Sequence, residues 1–324
     1  MASATLRGAS GVPIEYELVQ QKTGPPFGTP STLVVFLSGL GNHRTLWLRQ
    51  KEYFERSHPT FTLLFVDNHG VSGSGLPAGT YALYLMAADV LHLLSALVPA
   101  WTDQSTWSTH LVAHSMGALI GYEMLHRAPR GSFASVALLS VTLAFGCLSR
   151  PICQIKWTGL LKMVGMLTAT TMPEILQASL ELNYPAAWSA APAEDGGDGI
   201  NADAVMRFLR RALSGRRPIG AATWSKQASA FVSYVAPDSR QLEGSRTRVL
   251  VVGGDADALV PVHGLRSTAQ RLGGRLVLLE GVGHNCMVQA ADRVSSELAS
   301  HVATQPRERR LAGLGGSSST SDII

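Results

Sequence analysis

The stretch Val112-Ala113-His114-Ser115-Met116-Gly117-Ala118 sets a serine where a short apolar run gives way to a helical pattern. A serine at such a strand-to-helix turn has its hydroxyl lifted to the carboxyl end of the sheet, and small neighbours relieve the crowding there. Ser115 is therefore a candidate nucleophile. On this stretch alone a second interpretation is equally open, because serine at a helix start is also a common N-cap.

A second stretch, Ala187-Trp188-Ser189-Ala190-Ala191, fits the same pattern of small residues around a serine. Its surroundings differ, because no strand pattern precedes Ser189 and no helical pattern follows it. The pattern at Ser189 is therefore interpreted as a chance match.

Short apolar or β-branched runs alternate with turn residues and helical patterns along most of the chain. This alternation is typical of a parallel sheet in an α/β protein. We therefore predict a mostly parallel central sheet flanked by helices, with an antiparallel hairpin at its N-terminal edge. The predicted parallel strands are 33–37, 61–67, 110–113, 135–140, 248–253 and 275–279. Between the second and third of them the helical spacing predicts a helix that buries Tyr84, Ala87, Leu91, Leu94 and Val98 against the sheet.

The alternation lapses over residues 142–246, which is far longer than an ordinary connection. Helical patterns near 155–182, 201–213 and 220–235 lie within it. We interpret 142–246 as a helical cap inserted between a first core segment, 1–141, and a second one, 247–304. A separate helical domain is the alternative. The Gly- and Ser-rich residues 305–324 are predicted to be disordered.

The amino-acid composition limits which classes of function are compatible with this chain. The 324 residues are 46% hydrophobic and 15% charged, with a formal net charge of +4, so we expect a sizeable core and no nucleic-acid partner. The three cysteines show no metal-binding spacing, and no apolar stretch is long enough for a membrane span. We therefore expect a cytoplasmic protein without stable membrane insertion. Its oligomeric state stays open.

Two further groups needed for serine chemistry follow Ser115 along the chain. A serine hydroxyl needs an imidazole to take its proton, and the imidazole needs a carboxylate to orient it. Asp255 and Asp257 follow the predicted strand 248–253, and His284 follows the strand 275–279. The carboxyl ends of parallel strands share one edge of a sheet, so these residues can meet.

The turn Phe36-Leu37-Ser38-Gly39-Leu40-Gly41-Asn42 follows the first predicted parallel strand and exposes backbone N–H groups at the same edge. The amides of Leu40 and Met116 are candidate donors to an oxyanion. A plain glycine turn is the alternative interpretation of this stretch.

Together these motifs resemble the α/β-hydrolase superfamily, and in particular its capped branch of serine esterases and lipases. The resemblance covers about 30–300. Its anchors are the turn 36–41, the loop 67–74, the turn 113–117, the loop 254–261 and the pair Gly283-His284. Three positions depart from the family pattern, namely Ser38, Ser72 and Ala113, and none of them removes a catalytic group.

The resemblance implies a Ser115–His284–Asp257 triad with an oxyanion hole at Leu40 and Met116, and it requires no metal or organic cofactor. The family's acid stands four residues before a proline, here Pro261, which favours Asp257 over Asp255. The implied reaction is hydrolysis of a carboxylic ester or similar acyl bond in a small, lipophilic molecule or lipid, as in carboxylesterases and monoacylglycerol lipases. A carbon–carbon hydrolase, thioesterase, haloperoxidase, acyltransferase or non-catalytic receptor would use the same fold.

Several other residues receive a structural interpretation. We expect His114 to point away from the Ser115 hydroxyl, His69 to order its loop, and Cys286 to pack. Trp47 is expected either to shape the acyl site or to pack. The insertion's methionines are expected in a core or along a lipophilic pocket; they are Met163, Met166, Met172 and Met206.

Overall fold

The computed structural model describes residues 3–20, 24, 29–79, 81–143, 155–168, 171–216, 219–239 and 245–304. The predicted disordered tail, 305–324, lies outside the described residues, as do Cys147 and Cys153. The side chains of Met166 and Met172 also lie outside them.

The described strands form one eight-stranded sheet in the order β1-β2-β4-β3-β5-β6-β7-β8. β1 pairs with β2 and β2 with β4 in antiparallel fashion, and every other pair is parallel. The predicted mostly parallel sheet with an antiparallel edge hairpin is confirmed. The strands are β1 (Ala4–Arg7), β2 (Pro13–Val19), β3 (Ser31–Leu37), β4 (Phe61–Val66), β5 (Trp107–His114), β6 (Ser135–Leu139), β7 (Arg248–Gly254) and β8 (Arg275–Leu279).

Helices cover both faces of this sheet, and the strands are apolar on both sides for that reason. In β3, Leu33, Val35 and Leu37 join one apolar core, whereas Val34 and Phe36 join the core on the opposite face. The helices are α1 (Leu48–Ser57), α2 (Leu83–Leu97), α3 (Met116–Arg127), α4 (Trp157–Thr168), α5 (Met172–Asn183), α6 (Ala186–Ser189), α7 (Asn201–Leu213), α8 (Ala221–Ser233), α9 (Val262–Arg271), α10 (Cys286–Gln289) and α11 (Ala291–Ala303).

The predicted buried face of α2 was partly wrong. Ala87, Leu94 and Val98 are buried, but Tyr84 is 41% exposed and Leu91 is only partly buried. The face that packs on the sheet is rotated toward other positions of the helix, which carry Leu83, Met86, Val90 and Leu93. Because α2 is apolar on most sides, its periodicity alone does not define the buried face. Tyr84 instead packs against the guanidinium of Arg127, whose Cζ lies 5.0 Å from the centre of the Tyr84 ring.

The segment between β6 and β7 carries helices in all three regions where they were predicted. It contacts the sheet's loops through polar groups as well as apolar ones. The Gln227 amide of α8 donates to the carbonyl of His69 at 2.9 Å and accepts from the N–H of Gly41 at 2.8 Å. The limits 142–246 for a cap stay a prediction.

Among the described residues, no helix combines the length and apolar character needed to cross a membrane. The cytoplasmic location expected from the sequence stays a prediction.

Helix α3 approaches β3 so closely that its second residue must lack a side chain. A Cβ atom on Gly117 would lie 2.5 Å from the carbonyl oxygen of Ser38 and 2.8 Å from that of Leu37. Both contacts are backbone atoms, which cannot rotate away. The Ser115 turn therefore rests against the end of β3.

We predict that Gly117→Ala lowers the free energy of unfolding by about 1–3 kcal/mol, the usual cost of overpacking. The matched control is Gly165→Ala in α4, where an added Cβ meets nothing within 4 Å. Since alanine favours helices, that control should be stabilised by about 0.5–1 kcal/mol. Denaturant unfolding of both variants measures the two changes. Equal effects of the two substitutions would contradict the close approach of α3 to β3.

Candidate active site

Ser115 occupies the turn between β5 and α3 with a strained backbone. Its φ is 54° and its ψ is −123°, a conformation that costs a non-glycine residue about 1–3 kcal/mol. Its N–H donates to the carbonyl of Leu139 at the end of β6, at 2.9 Å. A Cβ on Gly39 would come within 2.9 Å of the Ser115 Cβ. Small neighbours and two adjacent strands thus hold the turn, and Ser115 faces a cavity.

The hydroxyl of Ser115 is not used as a helix cap. It makes no capping hydrogen bond to α3, and it lies 2.9 Å from Nε2 of His284. The N-cap interpretation of this side chain is therefore wrong. Ser189 differs, since its buried hydroxyl has no hydrogen-bond partner in the part of the chain that the structure describes.

His284 lies in the loop between β8 and α10, and its backbone is fixed from two sides. Its carbonyl accepts the O–H of Ser140 at 2.7 Å and the Nε2–H of His114 at 3.1 Å. The ring's Nδ1 is 2.9 Å from Oδ2 of Asp257. With Nδ1–H donating to this carboxylate, Nε2 is free to accept the proton of Ser115.

The structure separates the two candidate carboxylates. Asp257 is fully buried and contacts His284, and its second oxygen accepts the N–H groups of Leu259 at 2.7 Å and Val260 at 3.0 Å. Asp255 is exposed and accepts the N–H of Gly281 at 2.7 Å. Only Asp257 among these two is placed to orient the imidazole.

The electrostatics of the chain Ser115–His284–Asp257 keep the carboxylate ionised. Burial would raise the pKa of Asp257, but the His284 ring and the N–H groups of Val260 and Leu259 outweigh it and lower the pKa below its usual value. Burial, followed by the neighbouring His284, lowers the pKa of His114 to about 3. His114 thus stays neutral and positions the His284 loop, which agrees with its expected place away from the Ser115 hydroxyl.

The turn with Leu40 lies beside Ser115, and polar contacts fix its shape. Asn68 donates its amide to the carbonyl of Ser38 at 2.8 Å, and the Ser38 hydroxyl donates to the carbonyl of His43 at 3.2 Å. Within the described residues, neither the Leu40 nor the Met116 N–H donates a hydrogen bond to the protein. Both amides are therefore available to an external acceptor.

Sequence reasoning missed a buried ionic cluster beneath this turn. Arg44 is 1% exposed and contacts the carboxylates of Asp67 and, at 2.8 Å, Glu15. Its N–H also donates to Asp67 at 2.6 Å. Burial would raise the pKa of Glu15, but hydrogen bonds from Ser72 and Gly73 and the charge of Arg44 lower it to about 2. A lone arginine among polar loop residues gives no sequence signal of burial, although Asp67 stands in a recognised motif.

Ser140 was also missed. It follows β6 as Ser115 follows β5, with a φ of 48°, and its N–H donates to the carbonyl of Val252 at 2.8 Å. Its hydroxyl donates to the His284 carbonyl. The strained turn at Ser140 therefore supports the loop that places His284 beside the strained turn at Ser115. Its position as the last residue of the predicted strand 135–140 was the available signal.

A cavity of about 490 Å³ opens above Ser115 and His284, a typical size for a small-molecule site. Its lining is mostly apolar and comes from both the sheet loops and the helices α4, α5, α7 and α8. Met163 and Met206 line it, as expected for a lipophilic pocket. Apolar lining residues include Leu46, Ile175, Leu176, Leu182, Leu209, Leu213, Phe231 and Leu259.

The surroundings of Trp47, His69 and Cys286 show the role of each side chain. Trp47 is fully buried and packs on Phe36, with ring centres 5.4 Å apart, so it belongs to the core. His69 contacts the carboxylate of Asp89 in α2 and so orders its loop. Cys286 is buried with a free thiol. Among the residues described, no group of three or more His, Cys, Asp or Glu is placed to hold a metal ion.

Comparisons with known proteins agree with this architecture. The enol-lactonase from Burkholderia xenovorans LB400 aligns with a TM-score of 0.69 and 19% identity, over 93% of this chain and 100% of that one. The esterase RhEst1 from Rhodococcus sp. ECU1013 aligns with a TM-score of 0.68 and 20% identity, over 94% and 99% of the two chains. At these identities the likeness establishes the fold.

In sequence, the chain is 32% identical over 114 residues to RutD of Acinetobacter baylyi, which is named as a proposed carbamate hydrolase. The match covers 35% of this chain and only 38% of that relative. Residues 34–297 match the profile of the alpha/beta hydrolase family, which is well over half of the chain. The chain therefore belongs to the α/β hydrolase family.

Proposed function

We propose that this protein is a serine hydrolase that cleaves a carboxylic ester or similar acyl bond in a small, lipophilic substrate. One observation carries the proposal: the Ser115 hydroxyl lies 2.9 Å from Nε2 of His284, whose Nδ1 lies 2.9 Å from buried Asp257. A serine is activated when its hydroxyl is hydrogen-bonded to an imidazole that a carboxylate orients. The turn after β5 places the Ser115 hydroxyl in this position.

In the first half of the reaction, Ser115 Oγ attacks the carbonyl carbon of the substrate while its proton passes to Nε2 of His284. Asp257 accepts the Nδ1–H throughout and stabilises the imidazolium that forms. Since the pKa of Asp257 is lowered, its negative charge is present at neutral pH when the positive charge develops on His284.

The tetrahedral intermediate places a negative charge on the former carbonyl oxygen. The Leu40 and Met116 amides supply donors for it, and the dipole of α3 adds a favourable potential at its N-terminus. Collapse of the intermediate breaks the bond to the leaving alcohol, which takes the proton from His284. The acyl group is then an ester on Ser115.

In the second half, His284 takes a proton from water as the water oxygen attacks the acyl carbon. A second oxyanion forms, and its collapse releases the carboxylic acid and returns the proton to Ser115. The apolar lining of the cavity favours a lipophilic acyl or alcohol group, which supports an esterase or monoacylglycerol lipase-like activity. The names of the compared proteins, esterase, enol-lactonase and carbamate hydrolase, all denote attack at a carbonyl bonded to oxygen.

The test is hydrolysis of p-nitrophenyl esters of increasing acyl length, together with labelling by a fluorophosphonate, for the wild type and Ser115→Ala. We expect the wild type to do both and Ser115→Ala to lose about a millionfold in kcat, because its nucleophile is gone. A folded wild type that neither labels nor hydrolyses would favour a non-catalytic receptor. Added acceptor alcohols separate a transferase from a hydrolase.

The pair Asp257→Asn and Asp255→Asn tests which carboxylate acts. We expect Asp257→Asn to lower kcat about ten-thousandfold, because an amide no longer fixes the tautomer of His284. Asp255→Asn should change activity by about twofold at most, because residue 255 is exposed and the side-chain oxygen of asparagine can still accept the N–H of Gly281. Steady-state kinetics on one ester measures both. Comparable losses in the two variants would contradict the assignment of Asp257.

A further inference from the structure

Helix α7 carries three arginines that face two environments. Arg207 pairs with Asp195 at 2.9 Å, and Arg211 pairs with Glu52 at 2.6 Å. Arg210 pairs with no carboxylate in the part of the chain that the structure describes, and it lines the cavity above Ser115. Arg207 and Arg211 are four residues apart on α7, whereas Arg210 is exposed and lines the cavity beside apolar residues.

The side of α7 that carries Arg210 is the side that lines the cavity. The residues that line the cavity follow helical spacing, because they recur three and four positions apart. They are Met206, Leu209, Arg210 and Leu213. An exposed cation thus borders the apolar residues through which α7 lines the cavity.

The charges of the lining are unbalanced. Among the described residues it contains Arg210 and Arg216 and no aspartate or glutamate. Arg216 is partly neutralised, because its Nη1 lies 3.2 Å from Glu15, but the same Glu15 oxygen also serves Arg44 at 2.8 Å. Asp257 lies behind the His284 ring and is committed to it. The cavity therefore presents positive charge beside its apolar lining, and within the described residues no carboxylate of that lining competes with an incoming anion.

We propose that the substrate is an ester whose apolar chain carries an anionic group, a carboxylate or a phosphate, and that Arg210 binds this anion. This inference rests on the proposed function. The anion takes no part in bond cleavage: water and the ester still give an acid and an alcohol at Ser115. Arg210 instead selects the substrate, since its planar guanidinium matches carboxylate and phosphate oxygens.

The experiment uses p-nitrophenyl esters of fatty acids of several chain lengths, each with a methyl, carboxylate or phosphonate group at the far end. The measured quantity is the ratio of kcat/KM for an anionic ester to that for the neutral ester of equal length. At the best chain length we expect Arg210→Gln to lower this ratio about tenfold. Arg210→Lys should restore part of it, and rising salt should reduce the wild-type ratio.

The matched control is Arg211→Gln, which removes the same charge from the next position of α7 but outside the cavity. It should leave the ratio unchanged. The carboxylate and phosphonate arms identify which anion is preferred.

Equal falls of the ratio in Arg210→Gln and Arg211→Gln, or no change in Arg210→Gln, would overturn the inference while neutral-ester hydrolysis by the wild type upholds the proposed function. A wild type that hydrolyses neither class and resists the fluorophosphonate would overturn both.

Discussion

The site depends on one backbone turn, the strained conformation of Ser115 between β5 and α3. Strand β5 ends at His114 at the carboxyl edge of the sheet, and α3 begins at Met116, so the chain changes direction at the single residue between them. Gly117 permits this, because α3 packs directly on the carbonyl groups that end β3. The strain at Ser115 is offset by the surrounding sheet, which is buried on both faces. The hydroxyl consequently faces the cavity and His284 and makes no bond to its own helix.

The other parts of the site are held by the same edge. Asp257 and His284 follow β7 and β8, and Ser140 after β6 supports the backbone of His284. Helix α8 is held at this edge by Gln227, which forms hydrogen bonds to both the Leu40 turn and the His69 loop. The cluster around Arg44 lies under that turn and extends to Arg216 through Glu15. The Leu40 turn and the part of the cavity lined by Arg216 therefore share one polar cluster beneath them.

Much of this arrangement was predictable because it depends on local pattern. Ser115, Asp257 and His284 each follow an apolar strand, a pattern that predicts serine chemistry at the carboxyl ends of the strands. The structure brings these three side chains together. The choice between Asp255 and Asp257 rested on resemblance, since both follow β7 and only tertiary packing distinguishes their surroundings. Long-range contacts were not predictable: the buried Arg44 lies beside Glu15 and Glu17 of β2 and Asp67 after β4. The face of α2 was mispredicted, because a helix that is apolar on most sides has no unique periodicity.

Hydrolysis through an acyl-enzyme requires Ser115 to carry the acyl group during turnover. Its most direct test is acid quenching of the wild type during hydrolysis of a p-nitrophenyl ester, followed by mass measurement of the intact chain and of its peptides. We expect a mass increase of one acyl group on the peptide that contains Ser115, and none on the peptide that contains Ser189. Ester turnover with the acyl group on another residue would contradict it.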